Sequence, residues 1–244
     1  LVANENGKMV IGYTIYEPMN FYADPTDETT LTGFDTELAK LVAEKIGVNV
    51  KFQKIEWGNK YVELNTNTID CIWNGFTCTG RETQYTWSDP YVDNSIVIVV
   101  KADSGIKSLA DLAGGTCTSQ SGTIWYDTCL PQIPNIELQS PADSAPAMIM
   151  ALESGMVDFI CTDLPTANGA VAKNPNLVVL NFSGTDGDFQ FATEQERAEN
   201  VNIGVSVKKG NSELQKAMNE VLNAMTEADF NALMDQAIAI QPAI

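Results

Sequence analysis

Short apolar strands alternate with amphipathic helices along most of this 244-residue chain. A strand is predicted at residues 9–14, followed by a helix that ends at Gly47, where glycine commonly closes a helix. Further strands are predicted at 48–55 and 69–73, with a short helix at 60–65 between them. Such alternation builds βα units, whose strands run parallel in a sheet. We therefore predict an α/β fold with mostly parallel sheets.

A second series of the same kind follows. Its helices are predicted at residues 106–112, 123–129, 145–153, 164–171, 213–225 and 227–237, and its strands at 116–119, 157–162, 177–181 and 201–207. The two series share a pattern in which Leu stands six residues before Asp and Ile two residues after it. The copies are centred on Asp70 and Asp158. Two lobes built alike would produce this repeat, and so would chance.

The length of the chain suits two domains of roughly 100–150 residues each. No Gly/Pro-rich linker separates them. Two extended stretches, 91–98 and 198–205, could instead carry the chain between lobes and form a two-strand hinge. We predict a first lobe from residues 1–94 and 202–244, a second from 95–201, and a ligand cleft between the lobes.

Composition excludes several classes of protein. The 14 basic and 32 acidic residues give a net charge of −18, which disfavours binding to nucleic acid or an anionic membrane. The absence of His excludes His-based nucleophilic catalysis and Cys₂His₂ zinc sites. No apolar run reaches the length of a transmembrane helix. We expect no catalytic residue, cofactor or metal site.

Two features concern processing and redox state. The chain begins without Met and without a signal-like stretch, so we expect a mature fragment whose targeting segment was removed. Five Cys are present, so at least one is unpaired. The sequence leaves open whether Cys117 and Cys129 form a disulfide.

The segment from Asp70 to Arg81 carries the most informative chemistry. A buried strand leads into small and hydroxylated residues at the carboxyl end of the strand, where α/β sheets bind ligands. The carbonyls of Asn74 and Gly75 could accept hydrogen bonds from an ammonium group. Thr77 offers a hydroxyl and an N–H, and Arg81 offers a planar fork that matches a carboxylate. The alternative is a loop with a surface Arg.

Six short motifs occur in a fixed order, and each is weak alone. They are GFDTELA at 33–39, the segment 70–81, SDPY at 88–91, LADLAG at 109–114, QSGT at 120–123, and GMVD with a further Asp at 155–163. Together they resemble the family-3 periplasmic amino-acid-binding proteins of ATP-driven (ABC) importers over nearly the whole chain. The resemblance implies a two-lobed type II periplasmic-binding-protein-like fold. It also implies a monomeric, extracytoplasmic protein (periplasmic or a cell-surface lipoprotein) that captures an amino acid by hinge closure and delivers it to an ABC transporter permease.

The resemblance also implies roles for residues of the first lobe. Arg81 would hold the ligand α-carboxylate, and Gly75 and Thr77 would add backbone and hydroxyl contacts. The chain departs from the family pattern here, because Arg81 is two residues after Thr79 rather than three. A one-residue deletion in the loop restores the alignment. If Arg81 pointed away, Glu82 would occupy the site and repel a carboxylate.

In the second lobe, Gly122, Thr123 and Ile124 would lie at a helix N-terminus, where N–H groups favour an anion. The resemblance implies that these residues bind the ligand α-carboxylate together with Arg81. Asp163 would pair with the α-ammonium, and its alternative role is a helix N-cap.

The sequence is less informative about the residues that would contact the side chain of the ligand. Trp57 falls where family members place an aromatic over the ligand, and packing within the lobe is its alternative role. Tyr16 and Glu17 follow the first strand, where the family shapes the pocket. Glu17 could meet a cationic side chain or face water. Thr14 stands where cation-selective members often carry Asp, so a neutral or aromatic ligand is slightly favoured.

Two other functions remain open at this stage. The same fold serves a few dehydratases, for which Glu17 is the sole candidate acid or base. A ligand-sensing domain of a receptor or channel is the other alternative.

Overall fold

The computed structural model describes residues 7–78, 80–190 and 201–243. The chain forms two compact units, Leu1–Asp93 with Asn202–Ile240 and Asn94–Val201 with Gln241–Ile244. The predicted first lobe differs from the first unit at its edges, because Asn94 and residues 241–244 group with the second unit. Residues 198–200 of the predicted hinge lie outside the described residues. The lobe boundaries and the hinge stay predictions.

Fourteen strands and six α-helices account for most of the described secondary structure, and short 3₁₀ and π-helical turns make up the rest. The strands are β1 Lys8–Tyr13, β2 Phe21–Tyr22, β3 Leu31–Thr32, β4 Asn49–Lys54, β5 Cys71–Ile72, β6 Thr86–Trp87, β7 Val92–Asn94, β8 Ile96–Lys101, β9 Thr116–Thr118, β10 Glu137–Leu138, β11 Phe159–Asp163, β12 Leu177–Leu180, β13 Val201–Ile203 and β14 Ser206–Val207. The helices are α1 Phe34–Ile46, α2 Lys60–Asn65, α3 Ala145–Glu153, α4 Leu164–Lys173, α5 Ser212–Leu222 and α6 Glu227–Ile240.

The predicted βα alternation is confirmed, with two exceptions among the helices. The predicted helix at 106–112 is a single 3₁₀ turn at Leu109–Leu112, and the one at 123–129 is a π-helical turn at Trp125–Cys129. Ala113 adopts an extended conformation after the first of these turns, which ends it. The second turn continues directly into a 3₁₀ turn, Leu130–Gln132, in which Pro131 lacks the N–H that an uninterrupted α-helix would use.

Each unit contains a five-stranded sheet built to the same plan. The order is β4-β1-β5-β14-β6 in the first unit and β10-β9-β11-β8-β12 in the second. Three neighbouring strands are parallel, the fourth is antiparallel to them, and the fifth is antiparallel to the fourth. Four of the five strands therefore run in one direction, so the predicted class, α/β with mostly parallel sheets, is confirmed.

The sequence repeat corresponds to a structural repeat. Asp70 accepts a hydrogen bond from the backbone N–H of Val10 at 2.7 Å, and Asp158 accepts one from that of Thr116 at 2.8 Å. In each case the N–H of the Asp donates back to the same residue at 2.8 Å. Each Asp therefore fixes the third strand of its sheet order, β5 or β11, to the second, β1 or β9, which is a structural role.

Buried apolar residues form the core under the sheet of the first unit. The cluster contains Val10, Ile55, Leu64, Ile69, Ile72, Phe76 and Tyr85, with Trp57 and Trp87 packed against it. All five Cys are buried and free, so Cys117 and Cys129 do not form a disulfide. Burial raises the pKa of the Cys117 thiol to about 12, and the nearby charge of Asp158 adds to this shift.

Candidate ligand-binding site

Two loops of the first unit begin at the same edge of its sheet. β1 ends at Tyr13 and β5 at Ile72, and these strands are parallel neighbours. Because their carboxyl ends meet, residues 14–20 lie beside residues 73–81. Ligands bind at this edge in α/β sheets. Six of the predicted site residues lie on these loops: Tyr16, Glu17, Asn74, Gly75, Thr77 and Arg81.

The side chain of Asn74 ties the two loops together. Its Oδ1 accepts hydrogen bonds from the backbone N–H of Thr14 at 2.9 Å and from Nδ2 of Asn20 at 2.7 Å. Its Nδ2 donates to Oγ1 of Thr14 at 2.8 Å. Asn20 is fixed in turn, because its Oδ1 accepts from the hydroxyl of Thr36 at 2.7 Å. All four side chains are buried, so this network holds the loops in place. Asn20 was not among the predicted site residues, because no local spacing links it to Asn74.

Gly75 is held by a carboxylate from α1. Its N–H donates to Asp35, whose other oxygen accepts from the hydroxyl of Tyr91 at 2.7 Å. Asp35 lies within the first turn of α1, whose N-cap is Gly33. Gly75 has a φ of +59°, and a Cβ there would lie 2.8 Å from the ring of Tyr16. Both the backbone conformation and the ring therefore require glycine.

Arg81 lies against the aromatic core of the first unit. Its Nη1 donates to the carbonyl of Thr77 at 2.8 Å, and its Cζ is 4.8 Å from the centre of the Phe76 ring. Burial lowers the pKa of the guanidinium, and the charges of neighbouring groups offset this shift in part. Among the described residues, no carboxylate forms an ion pair with Arg81. Glu82 is exposed and accepts from the backbone N–H of Gly80 at 3.0 Å.

Trp57 packs beside the same ring. Its indole meets Phe76 edge-on, with 5.0 Å between the ring centres. The ammonium of Lys60 lies 4.4 Å from the centre of the Trp57 ring and 5.8 Å from that of Phe76. Two cations, Lys60 and Arg81, thus lie against one aromatic cluster. Lys60 was not among the predicted site residues, although it stands at the start of the predicted helix at 60–65, three residues after Trp57.

Glu17 is buried on the loop that follows β1. It is 5% exposed, and its Oε2 has no hydrogen-bond partner among the described residues. Burial raises the pKa of this carboxyl to about 7, and a hydrogen bond from its own backbone N–H offsets the shift in part. The water-facing alternative considered for Glu17 is therefore wrong.

In the second unit, Asp163 stands where β11 meets α4. It is fully buried, and its Oδ1 accepts from the backbone N–H of Thr166 at 2.9 Å. Asp163 is thus the N-cap of α4, which was one of its two predicted roles. The cap fixes the direction of the carboxylate at the carboxyl end of a sheet strand.

The second predicted segment of this unit, residues 122–124, precedes the π-helical turn. Gly122 has a φ of +71°, and the hydroxyl of Thr123 donates to the carbonyl of Gln120 at 2.7 Å. The expected helix N-terminus is therefore a turn of five residues rather than a full helix, with Ile124 just before it. The loop follows β9, the parallel neighbour of β11, so it begins at the same sheet edge as Asp163.

Two other features are absent from the described residues, a metal-binding cluster and a membrane-spanning helix. Within residues 7–78, 80–190 and 201–243, no group of three His, Cys, Asp or Glu is placed to hold a metal ion. None of the helices in these ranges has the length and apolar character needed to cross a membrane.

Comparison with known families identifies the chain. Residues 9–238 match the family of bacterial extracellular solute-binding proteins, family 3. The chain belongs to this family. The match confirms the resemblance inferred from the six motifs, and members of the family serve ABC transporters.

Curated relatives of this solute-binding protein include two that are 30% identical to it. The L-cystine-binding protein TcyA of Bacillus subtilis aligns over 213 residues, which are 87% of this chain and 73% of the relative. The probable histidine-binding protein of Campylobacter jejuni aligns over 190 residues, which are 76% and 72% of the two chains.

Solved structures show the same fold. An ancestral arginine-binding protein bound to arginine is 29% identical, with a TM-score of 0.72, and the match covers 96% of this chain and 97% of the other. The ancestral amino acid-binding protein AncCDT-1, a precursor of cyclohexadienyl dehydratase, is 26% identical, with a TM-score of 0.79 and 96% of each chain covered. The predicted type II periplasmic-binding-protein fold is confirmed.

Proposed function

We propose that this solute-binding protein binds an α-amino acid outside the cytoplasm and delivers it to an ABC importer. The observation that carries the proposal is Arg81, a half-buried guanidinium at the ligand edge of the sheet, with no ion-paired carboxylate among the described residues. A buried guanidinium requires an anion, and its planar fork suits a carboxylate. Relatives named for binding cystine, histidine or arginine support this ligand class.

The first unit contributes most of the proposed contacts. Arg81 binds the α-carboxylate, and the hydroxyl of Thr77 adds a hydrogen bond to it. The N–H of Gly75 is already used by Asp35, so its carbonyl, together with that of Asn74, is the contact proposed for the α-ammonium.

The second unit contributes a carboxylate and a set of backbone donors. Asp163 pairs with the α-ammonium while it caps α4. The segment Gly122, Thr123 and Ile124 supplies backbone N–H groups to the carboxylate. Both proposals come from the family resemblance, and the sheet edge that Asp163 and this segment share supports them.

Two classes of ligand side chain are candidates. A neutral or aromatic side chain is favoured by Trp57 and Tyr16, which offer ring surface beside Arg81 and Gly75. A cationic side chain is favoured by Glu17, a buried carboxyl group whose Oε2 has no hydrogen-bond partner among the described residues.

We further propose a monomer in the periplasm or at the cell surface that closes around its ligand by a hinge near 91–98 and 198–205. The proposed location is supported by the match of residues 9–238 to a family of extracellular solute-binding proteins. Small-angle X-ray scattering with and without the ligand tests closure and oligomeric state together. An unchanged radius of gyration would contradict closure, and a doubled mass would contradict the monomer.

We propose that the protein is not an enzyme, because its relatives are mostly solute-binding proteins. A dehydratase-like activity is the alternative, since one structural neighbour is a precursor of cyclohexadienyl dehydratase. Turnover of a prephenate-like substrate that is lost on Glu17→Gln would favour the enzyme.

The proposed function is tested by thermal unfolding against the twenty amino acids, each in large excess. At about 1,000 times Kd, a ligand adds about 4 kcal/mol of stability, which raises Tm by roughly 8–16 °C for a chain of this size. Arg81→Ala should abolish the shift, whereas Lys40→Ala, at an exposed surface ion pair, should preserve it. A panel without any shift would contradict the proposal.

A further inference from the structure

Two buried carboxylates of the first unit, Asp35 on α1 and Glu17 on the loop after β1, differ in their partners. Both oxygens of Asp35 accept hydrogen bonds, one from Gly75 and one from Tyr91. Glu17 is 5% exposed, yet its Oε2 has no partner among the described residues. A buried carboxylate is stable as an anion only when a cation or several donors compensate for lost hydration. Asp35 therefore needs nothing more, whereas Glu17 requires a further group.

No side chain of the described part of the chain supplies that group. Glu17 takes part in neither of the ion pairs found there, which join Lys40 to Glu37 and Lys54 to Glu28. Burial is the main cause of its raised pKa, and no charged neighbour contributes to the shift. The titratable groups on the surrounding segments, Asp35, Tyr91 and Arg81, therefore leave the charge of Glu17 uncompensated.

The position of Glu17 relates it to the proposed ligand. Tyr16, its neighbour, lies directly against Gly75, and a Cβ on Gly75 would be 2.8 Å from its ring. Thr14 and Asn20, on either side of Glu17, both bond to Asn74. Hydrogen bonds thus connect the loop that carries Glu17 to the loop that leads to Arg81.

We propose that Glu17 is the residue that selects a ligand with a positively charged side chain, such as a guanidinium or an ammonium group. The inference rests on the proposed function, since it assigns the side-chain end of the same amino acid. Arg81 compensates the ligand carboxylate and Asp163 its α-ammonium. Of the proposed contact residues that the structure describes, Glu17 is then the one whose charge remains uncompensated, and a cationic side chain neutralises it where a neutral or aromatic one does not.

The proposal predicts a linkage between binding and pH. The carboxyl of Glu17 holds a proton below about pH 7 in the free protein. A bound cation favours the ionised form, so binding releases that proton. Affinity for a cationic ligand should therefore rise roughly tenfold between pH 6 and pH 8, and binding at pH 6 should release roughly one proton.

Arginine and citrulline test the proposal, because they have nearly the same shape and differ in side-chain charge. Isothermal titration at pH 6 and pH 8, in buffers of different ionisation enthalpy, gives both the affinity and the protons released. Arginine should bind more tightly than citrulline, and only the affinity for arginine should depend on pH. Glu17→Gln should weaken arginine binding at pH 8 by at least about thirtyfold and remove its pH dependence. Glu44→Gln, the same change at an exposed position on α1, should alter neither.

The outcomes separate this inference from the proposed function. Equal, pH-independent binding of arginine and citrulline would overturn the role of Glu17, as would tight binding of an aromatic amino acid alone, and either result would leave the function intact. If no amino acid binds, both fail. Should Glu17→Gln not fold, the pH profile and proton release of the unmodified protein decide the question by themselves.

Discussion

The guanidinium of Arg81 lies over the ring of Phe76, with its Cζ 4.8 Å from the ring centre. The Nη1 group donates to the carbonyl of Thr77, four residues earlier in the chain. The side chain is therefore held at two points before any ligand arrives, which reduces the conformational entropy lost on binding. The one-residue departure from the family pattern does not send Arg81 into solvent.

Arg81→Lys should reduce amino-acid affinity by about 1.5–3 kcal/mol, because an ammonium group lacks the fork that matches a carboxylate. Isothermal titration checks the affinity, and circular dichroism checks that the fold is retained. Lys40→Arg, at an exposed side chain paired with Glu37 at 2.9 Å, is the control and should bind normally. Unchanged affinity in Arg81→Lys would mean that the carboxylate binds elsewhere.

Gly75→Ala should cost more stability than Gly47→Ala, although both glycines have positive φ values of +59° and +77°. Nothing lies within 4 Å of a Cβ at Gly47, so only backbone strain of about 1 kcal/mol is expected there. At Gly75 the same atom meets the ring of Tyr16 at 2.8 Å and Met19 at 3.0 Å. We expect a cost of roughly 2–4 kcal/mol by chemical denaturation, together with weaker ligand binding. Equal costs would show that Tyr16 moves aside freely.

Asp70→Ala and Asp158→Ala should each loosen one unit and leave the other unchanged. The first removes the acceptor of the Val10 N–H, and the second removes that of the Thr116 N–H. Amide hydrogen exchange should therefore accelerate at Val10 in one variant and at Thr116 in the other. Asp70 is half-buried and Asp158 exposed, so the loss of stability should be larger for Asp70, at about 1–2 kcal/mol. Exchange that accelerates at both amides in either variant would contradict the two-unit division.

Glu17→Gln should change how stability depends on pH in the ligand-free protein. The pKa of Glu17 is about 7 in the folded chain, above its ordinary value of 4.5, so the folded state binds the proton more tightly. The stability that this group contributes is complete below about pH 4.5 and is lost as the pH rises to about 7. Relative to Glu17→Gln, the free energy of unfolding of the unmodified protein should fall by about 3 kcal/mol across that window.

Denaturation curves at pH 4.5, 6 and 8 for both proteins measure this difference, with Glu44→Gln as the control for removing one carboxyl. A difference that grows in the opposite direction, or that matches the control, would mean that Glu17 titrates as an exposed residue.

The longer strands and helices of this fold were predictable from the sequence, because they follow from local periodicity and end signals. Helix α1 ends at Gly47 and α3 spans Ala145–Glu153 as predicted. The repeat around Asp70 and Asp158 was also visible, since each copy lies within nine residues. The failures were short segments such as 123–129, where a π-helical turn followed by a 3₁₀ turn that contains Pro131 takes the place of an α-helix.

The contacts of the site residues became known from the tertiary structure and could not be predicted from the sequence. Asp35 reaches a loop 40 residues away, and Asn20 meets Asn74 across 54 residues, so no local pattern encodes these bonds. The burial of Glu17 likewise follows from the packing of one loop on another. Charge, hydrogen bonding and pKa at the site depend on such long-range contacts, because they are set by the atoms that exclude water from each group.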